Sequence, residues 1–243
     1  MDRHSMKPFS LFVLLTVLVC QAIGLAEVVD IPDPNLREAL EAALQINAGE
    51  DITKEALAGL NELQASRKGI TNLSGLEYCT NLIELNIWGN QISDILALAN
   101  LTSLTSLNLF GNQLTDLSGL ANSNLPNLAH LLLYENQLTD LSGLADANLP
   151  GLTYLNLNYN QLTDLNVLAN ANLPSLTRLE LENNQVSNIS PLTNLTKLTW
   201  LELYGNQISN ITPLVENTGI SGRINLKNNL LSNTALSTHI PAL

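Results

Sequence analysis

The chain has 243 residues, of which 45% are hydrophobic and only 4% are aromatic, and its formal net charge is −12. This length is sufficient for one elongated domain or for two compact ones, with a large buried core. The acidic balance argues against nucleic acid or an anionic membrane as the partner, because neutralising phosphate groups requires clustered lysine and arginine side chains.

Residues 1–26 have the three-part pattern of a secretory signal peptide. Arg3 and Lys7 precede a short apolar run, and small residues lead to a cleavage site that we predict near Ala26. The apolar run is shorter than a membrane span of about 20 residues, so we expect an exported protein without a membrane span. Cys20 leaves lipid attachment open as an alternative, although it follows a valine where such signals usually have a small residue.

Cleavage at this site would remove one acidic and two basic side chains, which changes the formal charge to about −13. It would leave Cys79 as the single cysteine, so the mature chain has no internal disulfide and depends on packing for its stability. In the repeats described below, Cys79 stands where other units have leucine, which predicts a small buried apolar residue.

Residues 27–59 are predicted to form an N-terminal helical cap. Asp33 is placed as the N-cap of a first helix, with Pro34 as its first residue, and the leucines that follow share one face. Thr53 is placed as the N-cap of a second, shorter helix. Because a repeated pattern begins at residue 60, we expect the two helices to cover the first repeat.

Residues 60–231 form about eight repeats of 22 to 24 residues. A regular period of this length is typical of a solenoid, in which each unit buries its apolar face against its neighbours. The pattern is L-x-x-L-x-L-x-x-N-x-L, as in residues 152–162. The units begin at Leu60, Leu82, Leu104, Leu128, Leu152, Leu176, Leu198 and Ser221.

This pattern, with turns such as "NQISDI", resembles the internalin-like leucine-rich-repeat proteins of bacteria. The alternating leucines point inward from a short strand, and successive strands stack as a parallel sheet about 4.8 Å apart. Leu-Pro pairs in three units favour turns and 3₁₀ segments on the other side. We therefore predict an α/β leucine-rich-repeat solenoid with a curved parallel sheet on its concave face, short turns and 3₁₀ segments on its convex face, and an N-terminal helical cap.

The asparagine at the ninth position of each repeat is predicted to turn inward and to bond the backbone groups of the buried turn. Lys68 replaces it in the first repeat, which a terminal repeat tolerates. The predicted ladder consists of Asn90, Asn112, Asn136, Asn160, Asn184, Asn206 and Asn229.

Residues 232–243 are predicted to form a short C-terminal cap. A final turn of helix would place Leu236 and Ile240 over the last repeat. The cap is thin, which leaves open whether the chain is complete or truncated at this end.

Two recurring polar motifs are interpreted as parts of the turns. N-x-S/T sequons fall where the repeat itself supplies asparagine with serine or threonine, so we do not predict glycosylation. A column of aspartates raises calcium binding as an alternative, but single carboxylates in turns more often accept backbone N–H groups. The column consists of Asp94, Asp116, Asp140 and Asp164.

The outward side chains of the sheet come from the third, fifth and seventh positions of each repeat, with the eighth at the strand end. Seven of the eight aromatic residues that follow the predicted leader lie at these positions. They either stack and reinforce the sheet or serve, together with arginines, as anchors for a partner. The predicted partner-binding residues are Trp88, Phe110, Tyr134, Tyr154, Tyr159, Arg178, Glu180, Trp200, Glu202, Tyr204 and Arg223.

The hypothesis of an enzyme depends on Glu180 and Glu202, which share the fifth position on adjacent repeats. Their predicted spacing of about 5 Å is that of a retaining glycosidase pair. An open sheet, however, offers no dry pocket that would convert one carboxylate into an acid, and the repeats supply no nucleophile with a base. His130 and His239 each stand alone. We therefore predict no enzyme activity, no metal and no cofactor.

The resemblance to internalin-like proteins implies recognition of a protein partner through the concave face, often on the surface of another cell. Carbohydrate binding is the alternative, because aromatic platforms beside asparagine and acidic side chains also suit sugar rings. A third alternative is an intracellular phosphatase-regulating repeat protein, which the predicted leader disfavours. We expect a monomer that meets its partner around Trp200, where aromatic side chains and both signs of charge converge.

Overall fold

The computed structural model describes residues 26–239. Residues 1–25 of the predicted leader, with Cys20, and Ile240 of the predicted C-terminal cap lie outside the described residues. Within residues 26–239, no helix is both long enough and apolar enough to cross a membrane.

Each coil of the solenoid contributes one three-residue strand to a parallel sheet, as predicted. Within the described residues the strands pair in chain order from β1 to β8. Each strand is in register with the next, so every outward position of the repeat forms a column across the sheet. The strands are β1 Glu62–Gln64, β2 Glu84–Asn86, β3 Ser106–Asn108, β4 His130–Leu132, β5 Tyr154–Asn156, β6 Arg178–Glu180, β7 Trp200–Glu202 and β8 Arg223–Asn225.

The core lies behind the sheet and is built from the inward leucines. Leu155 and Leu157 flank one outward residue and are both fully buried, as the alternation predicts. The same positions in the last coil, Ile224 and Leu226, are only partly buried because no further described coil packs against them.

The predicted asparagine ladder is confirmed, and Asn160 illustrates its geometry. The Nδ2 group of Asn160 donates to the backbone carbonyls of Leu133 and Leu157, both at 3.0 Å. Its Oδ1 atom accepts the backbone N–H of Leu138 at 3.0 Å. One buried amide therefore satisfies turn groups of adjacent coils that would otherwise lose their hydrogen bonds.

The N-terminal cap contains helices α1, Pro34–Leu44, and α2, Lys54–Ala58. Both predicted N-caps are confirmed. Asp33 accepts backbone N–H groups in the first turn of α1, and Thr53 Oγ1 accepts the N–H of Ala56 at 3.2 Å.

The carboxylate of Asp33 also joins the cap to the first coil. Its Oδ2 atom accepts the backbone N–H of Thr71 at 2.7 Å, beside the turn where Lys68 replaces the ladder asparagine. Burial alone would raise the pKa of Asp33, but the N–H groups of Thr71, Leu36 and Asn72 outweigh it and lower the pKa.

The convex side consists of short helical segments, as predicted. Carboxylates of the aspartate column accept backbone N–H groups two residues further on, as Asp140 Oδ1 does from Ser142 at 2.8 Å. Cys79 is fully buried, and burial followed by the charge of Glu77 raises the pKa of its thiol to about 12. The 3₁₀ segments are Leu76–Tyr78, Leu96–Leu98, Ser118–Leu120, Ser142–Leu144, Asn166–Ala169 and Ser190–Asn194, followed by helix α3 at Thr212–Glu216.

The final turn of helix is present as a π-helical segment, Ala235–His239. The prediction that Leu236 covers the last coil was wrong, because its side chain is 54% exposed. Ala235 is fully buried in its place. Consecutive side chains of a helix point in different directions, so burying Ala235 turns Leu236 towards solvent.

Candidate functional site

Two groups of side chains line the concave face, and they occupy different columns. We call Trp88, Phe110 and Tyr134, two residues beyond the ends of β2, β3 and β4, the aromatic stack. We call Tyr154, Arg178, Trp200 and Arg223, the first residues of β5 to β8, the arginine–aromatic row. Because the strands pair in register, the members of each group are neighbours.

The aromatic stack is a continuous pile of nearly parallel rings. The ring centroids of Trp88 and Phe110 are 5.5 Å apart with an interplanar angle of 16°. Those of Phe110 and Tyr134 are 3.8 Å apart with an angle of 5°. The repeat spacing alone brings rings at one position of adjacent coils to this distance.

Arg67 extends the aromatic stack at its N-terminal end, which the sequence reasoning missed. Its guanidinium Cζ lies 4.1 Å from the ring centroid of Trp88. Gly89 makes room for it, since a Cβ atom there would lie 2.8 Å from Cγ of Arg67. Arg67 and Gly89 both occupy the eighth position of their repeats, and both have positive φ angles. The glycines that recur at this position were the available sequence signal for a left-handed backbone there.

The arginine–aromatic row alternates rings and guanidinium groups. The Cζ atom of Arg178 lies 4.4 Å from the ring centroid of Tyr154 and 4.7 Å from that of Trp200. Arg223 covers Trp200 from the next strand at 4.6 Å. At the other end His130 meets Tyr154 edge-on, with centroids 6.2 Å apart. Each ring therefore has a cation over its face, an attractive arrangement.

Buried carboxylates lie beneath the row. Glu180 is 6% exposed and Glu202 is 7% exposed. Nε of Arg178 donates to Oε1 of Glu180 at 2.7 Å, and Nη2 of Arg178 donates to the same oxygen. Nε of Arg223 lies 2.9 Å from Oε1 of Glu202. A buried carboxylate therefore holds each arginine from below. For Arg178 it lies two residues further along the same strand, and for Arg223 it lies on the adjacent strand.

Glu180 is itself fixed by three neutral side chains. Its Oε2 atom accepts from Nδ2 of Asn156 at 2.7 Å, from Nδ2 of Asn158 at 3.0 Å and from the Tyr154 hydroxyl at 3.1 Å. Sequence reasoning placed these asparagines on the concave face but missed that they hold Glu180. The oxygens of this buried carboxylate thus accept several hydrogen bonds, which lowers the cost of burying it.

Electrostatics differ between the charged groups of this region. Partial burial would lower the pKa of Arg178, but the hydrogen bonds and charge of Glu180 outweigh it and raise the pKa. Burial, followed by the negative charges of Glu202 and Glu180, raises the pKa of Glu182. Among the residues that the structure describes, Glu182 has no ion-pair partner. A cation brought by a partner would therefore be favoured beside Glu182.

The structure unites most of the predicted site residues but leaves two apart. Tyr154, Arg178, Glu180, Trp200, Glu202 and Arg223 form one connected cluster, whereas the aromatic stack is a second group. Tyr159 is 49% exposed and has no ring or cation contact with either group among the described residues. Tyr204 accepts a hydrogen bond from Nδ2 of Asn228 at 2.6 Å.

Glu180 and Glu202, the carboxylates of the enzyme hypothesis, are neighbours because they pair in register on adjacent strands. Each is occupied by its own arginine, so both carboxylates serve in ion pairs beneath the row. Within residues 26–239, no three histidine, cysteine or acidic side chains are grouped so that they would hold a metal ion.

An open groove of about 600 Å³ lies on the turn side of the first two coils, lined in part by Ser74, Asp94 and Leu96. It lies away from both aromatic groups. The oxygens of its Asp94 and Asn72 side chains already accept backbone N–H groups of their own turns. The concave face is therefore the stronger candidate for binding.

Comparison with known proteins agrees with this architecture. The family model described as "Leucine Rich repeats (2 copies)" matches residues 80–122 and 102–144. The model described as "Leucine rich repeat" matches residues 126–186 and 150–208.

Three individual proteins are similar to this chain. The crystal structure of an internalin C2 from Listeria monocytogenes is 37% identical, with a TM-score of 0.73, over 85% of this chain and 89% of that one. Internalin H of the same species is 39% identical over 63 residues, which are 26% of this chain but only 12% of that protein. The leucine-rich-repeat ectodomain of the receptor kinase GASSHO1/SCHENGEN3 from Arabidopsis thaliana, in complex with CASPARIAN STRIP INTEGRITY FACTOR 2, is 28% identical, with a TM-score of 0.52, over 64% of this chain and 19% of that one.

Proposed function

We propose that the chain, which belongs to the internalin-like leucine-rich-repeat proteins of bacteria, is a secreted or cell-surface module that binds a protein partner through its concave face. The observation that carries the proposal is the concentration of ordered aromatic and arginine side chains on that face. These residue types dominate protein interface hot spots. The plant receptor ectodomain, which has a similar repeat scaffold and was solved in complex with CASPARIAN STRIP INTEGRITY FACTOR 2, supports this proposal.

The order of these side chains favours tight recognition. Trp200 lies between two guanidinium groups, and Phe110 lies between two rings, so neither side chain samples many rotamers before binding. A side chain that is already ordered loses little conformational entropy when a partner contacts it. The same stacking reinforces the sheet, so the stabilising and binding roles are compatible.

The distribution of the two groups favours a partner of protein size. The aromatic stack begins beside β2 and the arginine–aromatic row ends on β8. At about 4.8 Å per strand this distance is roughly 30 Å. One sugar ring is far too small to reach both groups, whereas a protein surface or an extended segment is long enough.

Carbohydrate binding is the second candidate, and the ring geometry disfavours it. A sugar ring packs against the flat face of an aromatic side chain. The faces of Phe110 are covered by Trp88 and Tyr134, and those of Trp200 by Arg178 and Arg223. The rings therefore offer mainly their edges to a ligand, which suits the mixed polar and apolar contacts of a protein interface.

The binding proposal is tested by presenting the purified protein to an array of extracellular proteins and to a glycan array. Wild type is compared with Trp200→Ala and with Asn148→Ala, an exposed convex-side control. We expect protein ligands that are retained by Asn148→Ala and lost by Trp200→Ala. Binding to glycans alone would instead support the second candidate, and ligands insensitive to Trp200→Ala but lost by Asn148→Ala would exclude the concave face.

Export is tested separately. A reporter fused behind residues 1–30 is expected to leave the cytoplasm and to lose its leader. Retention of the reporter with an intact N-terminus would remove the secreted assignment and favour the intracellular alternative. Changing Arg3 and Lys7 to glutamine supplies a control, because a positively charged N-terminal region is part of the export pattern.

A further inference from the structure

Arg178 has hydrogen-bond donors that the protein does not use. A guanidinium group carries five N–H donors in one plane. Nε and Nη2 of Arg178 each donate to Glu180, and the remaining donors, including both on Nη1, have no acceptor among the residues that the structure describes. The side chain is 41% exposed, so these donors are accessible from the concave side.

The orientation of Arg178 is fixed from three directions. Tyr154 and Trp200 cover the two faces of the guanidinium, and Glu180 holds its inner edge. Glu180 in turn is held by Asn156 and Asn158. The unused edge of Arg178 is therefore presented to the concave space before any ligand arrives, and little side-chain entropy remains to be lost on binding.

We propose that the outer edge of Arg178 is a binding site for a carboxylate, namely an aspartate or glutamate side chain of the protein partner, and that Arg223, on the far side of Trp200, adds positive charge nearby. This inference rests on the proposed function and specifies the chemistry of its central contact. The planar fork of a guanidinium matches the two oxygens of a carboxylate. Arg223 uses Nε for Glu202 and is 57% exposed, so it supplies a second cation two strands away.

An additional donor lies between the two arginines. Nε1 of Trp200 is buried and has no hydrogen-bond acceptor among the described residues. An indole N–H only donates, so it can only be satisfied by an acceptor. Arg223 lies over the ring of Trp200, with its guanidinium Cζ 4.6 Å from the ring centroid, and it is more exposed than Arg178. The unused polar groups of the row are thus all donors, which complements an anion.

The surrounding charge favours a carboxylate over a phosphate or sulfate. Glu180, Glu202 and Glu182 lie beside the row, and the whole chain has a formal charge of −12. A phosphate carries more than one negative charge at neutral pH and meets stronger repulsion from these carboxylates than a carboxylate does. The site therefore offers hydrogen-bond donors to an anion, while the surrounding negative charge favours an anion with a single charge.

The chain offers an internal reference for a direct test. It contains two tryptophans, Trp88 in the aromatic stack and Trp200 in the row, and their indole N–H groups give separate nuclear magnetic resonance signals that Trp88→Phe assigns. The probes are the tripeptide Ac-Gly-Glu-Gly-NH₂, its glutamine counterpart and inorganic phosphate. Each is titrated into the full chain at constant ionic strength up to about 100 mM, since a contact of this size is expected to bind weakly.

We expect the glutamate tripeptide to shift the signals of Trp200 and of the Arg178 Nε–H saturably, and to leave the Trp88 signal unchanged. The glutamine tripeptide is expected to shift neither. Arg178→Lys keeps the charge but loses the planar fork, so it is expected to weaken the tripeptide by about 10-fold or more. Lys197→Gln removes an exposed charge outside the concave columns and is expected to bind as wild type does.

Three results would overturn the inference: no saturable shift with the glutamate tripeptide, equal shifts with the glutamine tripeptide, or tighter binding of phosphate. If Arg178→Lys does not fold, the double variant Arg178→Gln with Glu180→Gln replaces it, because it leaves no buried charge unpaired. The test needs no natural partner. Its failure would leave the concave-face proposal standing, whereas a failure of the array experiment would leave the measured carboxylate contact but remove the protein partner assigned to it.

Discussion

The aromatic stack and the arginine–aromatic row are built on the same scaffold but are held in place differently. In both groups, one repeat position on successive coils places side chains about 4.8 Å apart across the sheet. The rings of the aromatic stack support one another, with a single cation at the end. The row alternates rings with arginines and stands on buried carboxylates.

The difference originates in the third residue of each strand. Beside the aromatic stack this residue is Asn86, Asn108 or Leu132, whereas in β6 and β7 it is Glu180 or Glu202. A buried carboxylate requires a cation, and the arginine of the row supplies it. The repeat therefore fixes where the outward side chains lie, and the residue type in one column decides whether that part of the surface is neutral or charged.

The ladder beneath both regions provides the largest expected effect. Asn112 lies in a coil of the aromatic stack and Asn160 in a coil of the row, and each is buried with the same pattern of backbone hydrogen bonds. Asn160→Ala and Asn112→Ala are each expected to destabilise the fold by about 1 to 3 kcal/mol, because buried backbone groups lose their partners. Urea unfolding measures this. A midpoint unchanged from wild type would remove the ladder argument, and unequal losses would show that the scaffold is not uniform.

Removing one arginine distinguishes the two regions. Arg178→Ala leaves Glu180 without its cation and is expected to cost about 1 to 2 kcal/mol, less than a fully buried pair because Arg178 is 41% exposed. Phe110→Ala removes the ring that stacks on both Trp88 and Tyr134. Beyond the lost burial, this is expected to lower the free energy of unfolding by about 1 kcal/mol. The loss in Arg178→Ala should shrink at high salt, and that in Phe110→Ala should not.

The double variant Arg178→Ala with Glu180→Gln serves as the control for this comparison. It removes the unpaired carboxylate, so it is expected to recover part of the stability lost in Arg178→Ala. If the double variant is less stable than Arg178→Ala, the unpaired carboxylate of Glu180 is not the cause of the stability lost in Arg178→Ala. If both single-variant losses respond equally to salt, the distinction between a neutral and a charge-supported region fails.

The fold was predictable from the sequence because its determinants recur in every repeat. The period gave the inward leucines and the asparagine ladder, and local cap residues such as Asp33 gave the helices before the first coil. Leu236 was predicted wrongly because one turn of helix without a repeat gives no register to decide which side chain faces inward. Contacts that depend on local backbone geometry, such as Arg67 over Trp88, were also missed.

The candidate site was predictable by position but not by contact. The repeat placed Arg178, Glu180 and Trp200 in neighbouring columns, which the register confirms. The sequence did not reveal which carboxylate each arginine takes or that Asn156 and Asn158 hold Glu180, because side-chain rotamers decide these contacts and repeat spacing does not. Partner binding by these residues stays a prediction.

The smallest expected effect concerns Glu182. Burial and the charges of Glu202 and Glu180 raise its pKa above the ordinary value of 4.5, so the folded chain holds this proton more tightly than the unfolded one. The resulting stability is present below about pH 4.5 and is lost as the pH rises through the folded pKa. Glu182→Gln is therefore expected to raise the urea midpoint at pH 7 and to leave it close to wild type at pH 4.

Salt supplies the control for this pH experiment. At about 1 M salt the repulsion from the other two carboxylates is screened, whereas the effect of burial is not, so the gain should decrease without vanishing. A lower midpoint for Glu182→Gln at pH 7, or a gain that grows as the pH falls, would contradict the electrostatic account of the row.

The most direct test of the concave-face account is the affinity of one identified protein partner for three variants, measured by calorimetry with the fold of each checked by circular dichroism. We predict that Trp200→Ala weakens binding by about 1 to 3 kcal/mol, that Phe110→Ala weakens it less, and that the convex variant Asn148→Ala leaves it unchanged. This order would place the anchor in the arginine–aromatic row, with the aromatic stack extending the contact. A loss of affinity in Asn148→Ala together with unchanged binding by Trp200→Ala would contradict the account.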